Sequence, residues 1–188
     1  MRVLVACEFS GRVRDAFSAQ GHDAISCDII PSTAHGAHLQ CDVREIDLLE
    51  YDLVIAHPPC TYLAVSGNRA FAADPVGRGL LRDDALELVR WFMSHDMPMC
   101  IENPIGVIST RIRKPDQIVE PYFFGHPYTK ATCLWLNKLP PLAPTDLVTP
   151  GRGSYGWRSA PGDRARRRSL TFQGLAEAMA SQWVLTGK

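Results

Sequence analysis

The stretch Asp52-Leu53-Val54-Ile55-Ala56-His57-Pro58-Pro59-Cys60 constrains this chain more than any other. Leu53 to Ala56 is an unbroken apolar run with two β-branched residues at its centre, the composition of a strand buried on both faces of a parallel sheet. Two prolines then stop it, because neither can donate a ladder hydrogen bond and each fixes φ near −65°. The residue after them is a cysteine. Open α/β sheets bind ligands at the carboxyl ends of their strands, so Cys60 is expected at a ligand-binding edge. On this stretch alone two roles stay open for it: a small apolar packing residue or a reactive thiol.

The rest of the chain supplies strands for such a sheet. Arg2 to Ala6 reads as a first strand, and Glu8-Phe9-Ser10-Gly11 as a tight turn. Ser10 is expected to cap a helix whose apolar face is Val13, Ala16 and Phe17 and which ends at Gly21. Ala24 to Cys27 reads as a second strand closed by Asp28. A βαβ start with glycine in its first turn and an acid after its second strand is the layout of a nucleoside-binding half-sheet, although Asp28 is equally readable as a turn residue. Leu39 to Cys41 predicts a short third strand ending at Asp42. Residues 61–79 read as a long polar loop with Ser66-Gly67-Asn68-Arg69 at its cationic centre. Leu81, Ala85, Leu88, Val89 and Phe92 recur at helical spacing and are expected in the core. Met99 to Pro104 predicts a strand carrying Glu102 to the same edge as Cys60, residues 115–127 read as irregular, and Thr132 to Leu136 as a further strand. Residues 172–185 predict an amphipathic helix buried through Phe172, Leu175, Ala176, Met179 and Trp183. The expected architecture is one α/β domain over 1–188 with a mostly parallel sheet and helices on both faces.

Charge is balanced overall but unevenly spread. Lys plus Arg and Asp plus Glu are 20 each. Residues 1–60 carry four basic and nine acidic side chains, and residues 121–188 carry nine basic and three acidic. Six arginines fall within the basic segment 151–168, against one Asp. That clustering favours a phosphate-contacting arm, Arg152 and Arg158 included, over a merely solvated loop. The six cysteines form no C-x-x-C pair, which argues against a zinc site and for reduced thiols in a cytosol. No apolar stretch is long enough for a signal peptide or a membrane span.

Several motifs fall in one order. Phe9-Ser10-Gly11, Asp28, Cys41-Asp42-Val43, Pro58-Pro59-Cys60, Ser66-Gly67, Glu102-Asn103-Pro104 and the segment Gly125 to Thr132 together resemble the DNA (cytosine-5) methyltransferases over roughly residues 3–136. The resemblance implies a Rossmann-like fold of the S-adenosylmethionine-dependent methyltransferase type. It implies that Phe9, Ser10, Gly11, Asp28, Asp42 and Pro58 meet the cofactor, and that Cys60 and Glu102 are catalytic. It implies that Ser66, Gly67, Asn68, Arg69, Asn103 and Lys130 face the DNA substrate. Thr61 stands where the family usually has Gln, Lys130 and Thr132 stand at two arginine positions, and no stretch after Leu142 is long enough for a target-recognition domain. The closest likeness is therefore to a minimal phage-type member, expected in a bacterial or phage-infected cytosol. Such a protein would act as a homodimer or without sequence preference.

The chemistry follows from those residues. Carbon 5 of cytosine is a poor nucleophile until a thiolate adds at carbon 6. Cys60 would supply the thiolate, although a cysteine's ordinary pKa of about 8.5 requires help from its surroundings. Glu102 would protonate ring nitrogen 3, a task that calls for a raised carboxyl pKa. The base must be flipped or single-stranded to be reached, and loop 61–79 would close over it. Two alternatives are weighed: a catalytically inactive nucleic-acid-binding module, and an amino-group methyltransferase, which would need no thiol. A thiol hydrolase is disfavoured, because His57 is adjacent to Cys60 in sequence only.

Overall fold

The computed structural model describes residues 1–151 and 169–184. Seven strands form one sheet: β1 (Arg2–Ala6), β2 (Asp23–Asp28), β3 (His38–Gln40), β4 (Leu53–Ala56), β5 (Met99–Pro104), β6 (Gln117–Val119) and β7 (Thr132–Asn137). Their order is β3-β2-β1-β4-β5-β7-β6. The first five are parallel, and β7 runs antiparallel to both β5 and β6. β4 is buried at all four positions because it lies between β1 and β5 with helices on both sides. This is a Rossmann-like α/β arrangement, and the strand order reverses between β1 and β4.

Helix α1 (Arg12–Ala19) and a C-terminal helix, named α5 here (Gln173–Gln182), cover one face. Val13, Phe17, Leu175, Ala176 and Met179 pack there against Val3, Val5, Leu53 and Ile55. Helix α3 (Pro75–Met93) covers the other through Leu86, Val89 and Phe92 against Leu4, Val54 and Ala56. The five expected apolar residues of the C-terminal helix are all buried. On α3 Val89 and Phe92 are buried as expected and Ala85 and Leu88 pack against the same core, whereas Leu81 is 46% exposed and Leu86 is buried in addition. Among the described residues no helix is long and apolar enough to cross a membrane.

Two segments differ from expectation. Residues 61–79 are largely helical, with a 3-10 turn at Val65–Gly67, helix α2 (Asn68–Ala73) and the first turn of α3. The signals were local: Asp74 caps α3 by accepting from the Gly77 N–H at 3.0 Å, and Pro75 takes the first position, where a missing N–H costs nothing. Arg82 then clamps the segment, donating to the Tyr62 carbonyl at 2.9 Å and covering the Phe71 ring at 3.8 Å. The stretch 115–127 contains β6, a three-residue strand paired to β7 and tied to Leu142 by the Gln117 side chain, which donates to its carbonyl and accepts from its N–H at 2.7 Å each. A short helix α4 (Ile108–Arg111) follows β5.

The loop between β2 and β3 is fixed by a buried cation. Arg14 is 1% exposed. Its guanidinium donates to the carbonyls of His35 at 2.6 Å and Ala37 at 3.3 Å, and to the Ser26 hydroxyl at 3.1 Å. The same loop returns to the first turn through the Thr33 N–H and the Phe9 carbonyl, 2.9 Å apart. Arg14→Leu would strand those acceptors and should cost about 2–3 kcal/mol. Urea denaturation checks this, and an unchanged midpoint would contradict the role given to Arg14.

Candidate functional site

A cleft of about 900 Å³ opens at the carboxyl ends of the strands, where the order reverses. Its first wall grows from β1. Cys7 turns the chain with a left-handed φ of 58°. The next residue, Glu8, is 5% exposed and folds back under the helix that follows. Its carboxylate accepts from the Val13 and Arg14 N–H groups at 2.8 and 3.2 Å and from the Ser10 hydroxyl at 3.1 Å. Glu8 is therefore the main cap of α1, where a negative charge opposes the positive end of the helix. Ser10, expected in that role, contributes a longer bond from the Arg12 N–H at 3.3 Å. Phe9 and Ser10 line the cleft. Gly11 is not among the lining residues. It has φ of 73°, and a Cβ there would stand 2.3 Å from the Arg14 guanidinium.

The second wall comes from β2 and β3. Asp28 ends β2 and faces the cleft, and burial raises its carboxyl pKa. Asp42 also lines the cleft, but Arg44 grips it at 2.5 Å and holds its carboxyl below the usual range. Ile29 lines the cleft while remaining 70% exposed, an apolar surface beside the Asp28 carboxylate. Three thiols floor this half. Cys27 and Cys41 sulfurs are 3.8 Å apart, and burial pushes Cys7 up to about 12. No disulfide joins the six cysteines.

The third wall joins β4 to β5. After Ala56, the His57 N–H still pairs with the Ala6 carbonyl at 2.9 Å, and the two prolines then release the chain from the sheet. Cys60 follows, and its carbonyl accepts from the Leu63 and Ala64 N–H groups at 3.1 and 2.9 Å, so it opens a turn. Asn103, 1% exposed, donates to the Pro58 carbonyl at 2.7 Å and locks that turn to β5. The segments beyond also pair: the Val107 N–H reaches the Leu63 carbonyl at 2.8 Å and the Val65 N–H the Ile105 carbonyl at 3.0 Å. Gly106 permits this approach, since a Cβ would lie 2.0 Å from the Leu63 oxygen.

Pro58, Cys60, Ser66, Glu102, Asn103 and Lys130 all line the cleft. Gly67, Asn68 and Arg69 are not among its lining residues: Gly67 packs on the Thr61 carbonyl, Asn68 accepts from Arg82 at 3.3 Å, and Arg69 is exposed on α2. Arg152, Arg158 and the rest of segment 152–168 lie outside the described residues. Ser169 and Thr171, from the chain just before α5, complete the rim.

The residue missed from sequence is His57. Its Nδ1 lies 3.0 Å from Glu102 Oε2, with side-chain exposures of 11% and 15%. Burial works against both charges, yet the hydrogen bond and mutual attraction win, so His57 is raised and Glu102 lowered. Lys130 also lowers Glu102. The expectation of a raised Glu102 pKa is thus reversed, because a cation was not foreseen beside it. A polar residue ending one parallel strand and an acid ending its neighbour was the only signal, and it becomes visible once β4 and β5 are known to be adjacent.

Compared with known proteins, the sequence matches no family model and no curated protein.

The charged pair has a definite pH signature. Its contribution to stability is complete between the ordinary values of 4.5 for Glu102 and 6.5 for His57. It is lost as pH rises through the raised His57 value and as pH falls through the lowered Glu102 value. Glu102→Gln should cost about 3 kcal/mol inside that window and less on either side. Thermal denaturation of both proteins across the range checks this, and a pH-independent difference would contradict the pair.

Proposed function

We propose that this protein transfers a methyl group from S-adenosylmethionine to carbon 5 of cytosine in DNA, through a transient bond between the Cys60 sulfur and carbon 6. One observation carries the reading. Cys60 and Glu102 leave the ends of adjacent parallel strands and line one cleft, and an acid-bearing nucleoside half opens beside them in the same cleft. An amino-group methyltransferase would have no use for that thiol.

The cofactor half fits its ligand by the chemistry of its donors. A ribose offers two hydroxyl protons, and Asp28, partly stripped of water at the end of β2, gains by accepting them. The exposed face of Ile29 suits a flat purine, and the Phe9-Ser10 turn brings backbone close to the rest of the molecule. When bound, S-adenosylmethionine supplies an electrophilic methyl group on a sulfonium. Asp42 is already committed to Arg44, so Asp28 is the stronger candidate for the ribose.

On the substrate half, Cys60 attacks carbon 6 as the thiolate. Lys130 lines the same cleft. As sulfur adds, negative charge develops toward ring nitrogen 3, which takes up a proton through Glu102, a carboxylate at rest. Carbon 5 becomes enamine-like and takes the methyl group. Loss of the carbon-5 proton and expulsion of the Cys60 thiolate complete the cycle. Asn103 fixes the turn on which Cys60 sits, so its amide positions the nucleophile. Segment 61–79 is clamped by Arg82, so closure over the base falls to smaller adjustments of the lining residues Thr61, Ala64, Val65 and Ser66. The excess of basic residues after position 120 is what a phosphate backbone requires, and binding to DNA should weaken steeply with salt.

DNA containing 5-fluorocytosine tests the reading, because a fluorine cannot leave as a proton does. With cofactor present the intact protein should form a denaturation-resistant adduct. Cys60→Ala should abolish it, and Glu102→Gln should slow it by roughly 100-fold or more. Absence of any adduct with wild type, or an adduct surviving in Cys60→Ala, would overturn the proposal.

A further inference from the structure

His57 stands one residue beyond β4, and nothing in the chemistry described so far gives it a task. The ring is held at both ends of its own residue: its backbone N–H is tied to the Ala6 carbonyl, and Nδ1 is 3.0 Å from Glu102 Oε2. Its second nitrogen, Nε2, is buried and has no hydrogen-bond partner among the described residues. A buried polar atom left unpaired costs about 1–3 kcal/mol. An asparagine could also hold the Glu102 carboxylate through an N–H. What imidazole adds is a proton that can be given up near neutral pH.

We propose that His57 is the positioning residue of Glu102 and the store of the proton that Glu102 delivers to ring nitrogen 3. This rests on the cytosine reading above. When the Cys60 thiolate bonds to carbon 6, the C5=C6 electron pair moves to C4–C5 and the C4=N3 pair moves onto N3. Nitrogen 3 takes a proton from the Glu102 carboxyl, and Glu102 takes the Nδ1 proton of His57, leaving a neutral imidazole. When the thiolate leaves, the electron pairs and the proton return by the same path. The resting state is then an ion pair that keeps Glu102 anionic and in place until a base enters. That removes the need for a carboxyl held protonated in advance.

The surrounding charges are compatible with one shared proton. Glu8, at the end of β1, favours the imidazolium, and Lys130, just before β7, opposes it. Two buried thiols feel the Glu102 carboxylate, Cys100 on β5 and Cys133 on β7, and both are held protonated by burial and by that charge. Neither competes for the proton.

Two measurements on the full chain test this. The first is an NMR titration of the histidine rings, with His57 assigned by its loss in His57→Asn. Its ring should stay protonated above the ordinary 6.5 and fall back in Glu102→Gln. Titration at or below the ordinary value, or no response to Glu102→Gln, would overturn the proposal. The second is the pH dependence of adduct formation on 5-fluorocytosine DNA. His57→Asn should be slower by roughly 100-fold and keep its DNA affinity. The advantage of wild type over His57→Asn should shrink as pH rises through the His57 titration, since the Cys60 thiolate is common to both. An unchanged rate and pH profile in His57→Asn would overturn the proton-store role. A wild type that forms no adduct, while His57 and Glu102 titrate together, would sink the cytosine reading and leave the shared proton standing.

Discussion

The buried hydrogen bond from Asn103 to the Pro58 carbonyl, 2.7 Å long, ties together the ends of two parallel strands that would otherwise part. β4 and β5 pair only as far as Ala56 and Ile101. Beyond that point the prolines carry Cys60 away from the sheet, while β5 continues along β7 through Glu102 and Asn103. The divergence opens the cleft, and the Asn103 bridge limits how far it opens. The backbone pairing across Ala64 and Gly106 repeats the tie one layer farther out. A thiol and a carboxylate that leave neighbouring strands therefore line a common space, with the tolerance of a sheet rather than of two loops.

Electrostatics divides that space. The β1–β3 side holds Asp28 and the Cys7, Cys27 and Cys41 thiols, with Asp42 paired to Arg44. The β4–β5 side holds Glu102, His57 and Lys130. The first half thus offers carboxylate acceptors beside the exposed apolar surface of Ile29, and the second a carboxylate hydrogen-bonded to an imidazole. The low-dielectric surroundings strengthen every one of these contacts, and they also make a missing partner expensive.

Much of this was legible in the sequence because the signals were local. Apolar runs ended by proline or by an acid located β1, β2, β4, β5 and β7, and the spacing of Leu175, Ala176 and Met179 located α5. Helix α3 was legible only in part. Gly77 and Gly79 read as loop residues, although Asp74 and Pro75 mark a helix start, and the 3.6-residue phase placed Leu81 inward and left out Leu86. β6 has too few residues to announce itself and is fixed by its tertiary partners. The His57–Glu102 contact joins residues 45 apart, and only the adjacency of β4 and β5 creates it. Gly11 and Gly67 sit in the motifs that carry the resemblance, and each makes room for a neighbouring protein group, Arg14 in one case and the Thr61 carbonyl in the other.

The most direct measurement is a crystal structure of the protein trapped on DNA containing 5-fluorocytosine. Continuous density from the Cys60 sulfur to carbon 6, with the Glu102 carboxyl within hydrogen-bond reach of ring nitrogen 3, is the result this account requires. A ring bound elsewhere, or bound here with its nitrogen turned away from Glu102, would contradict it.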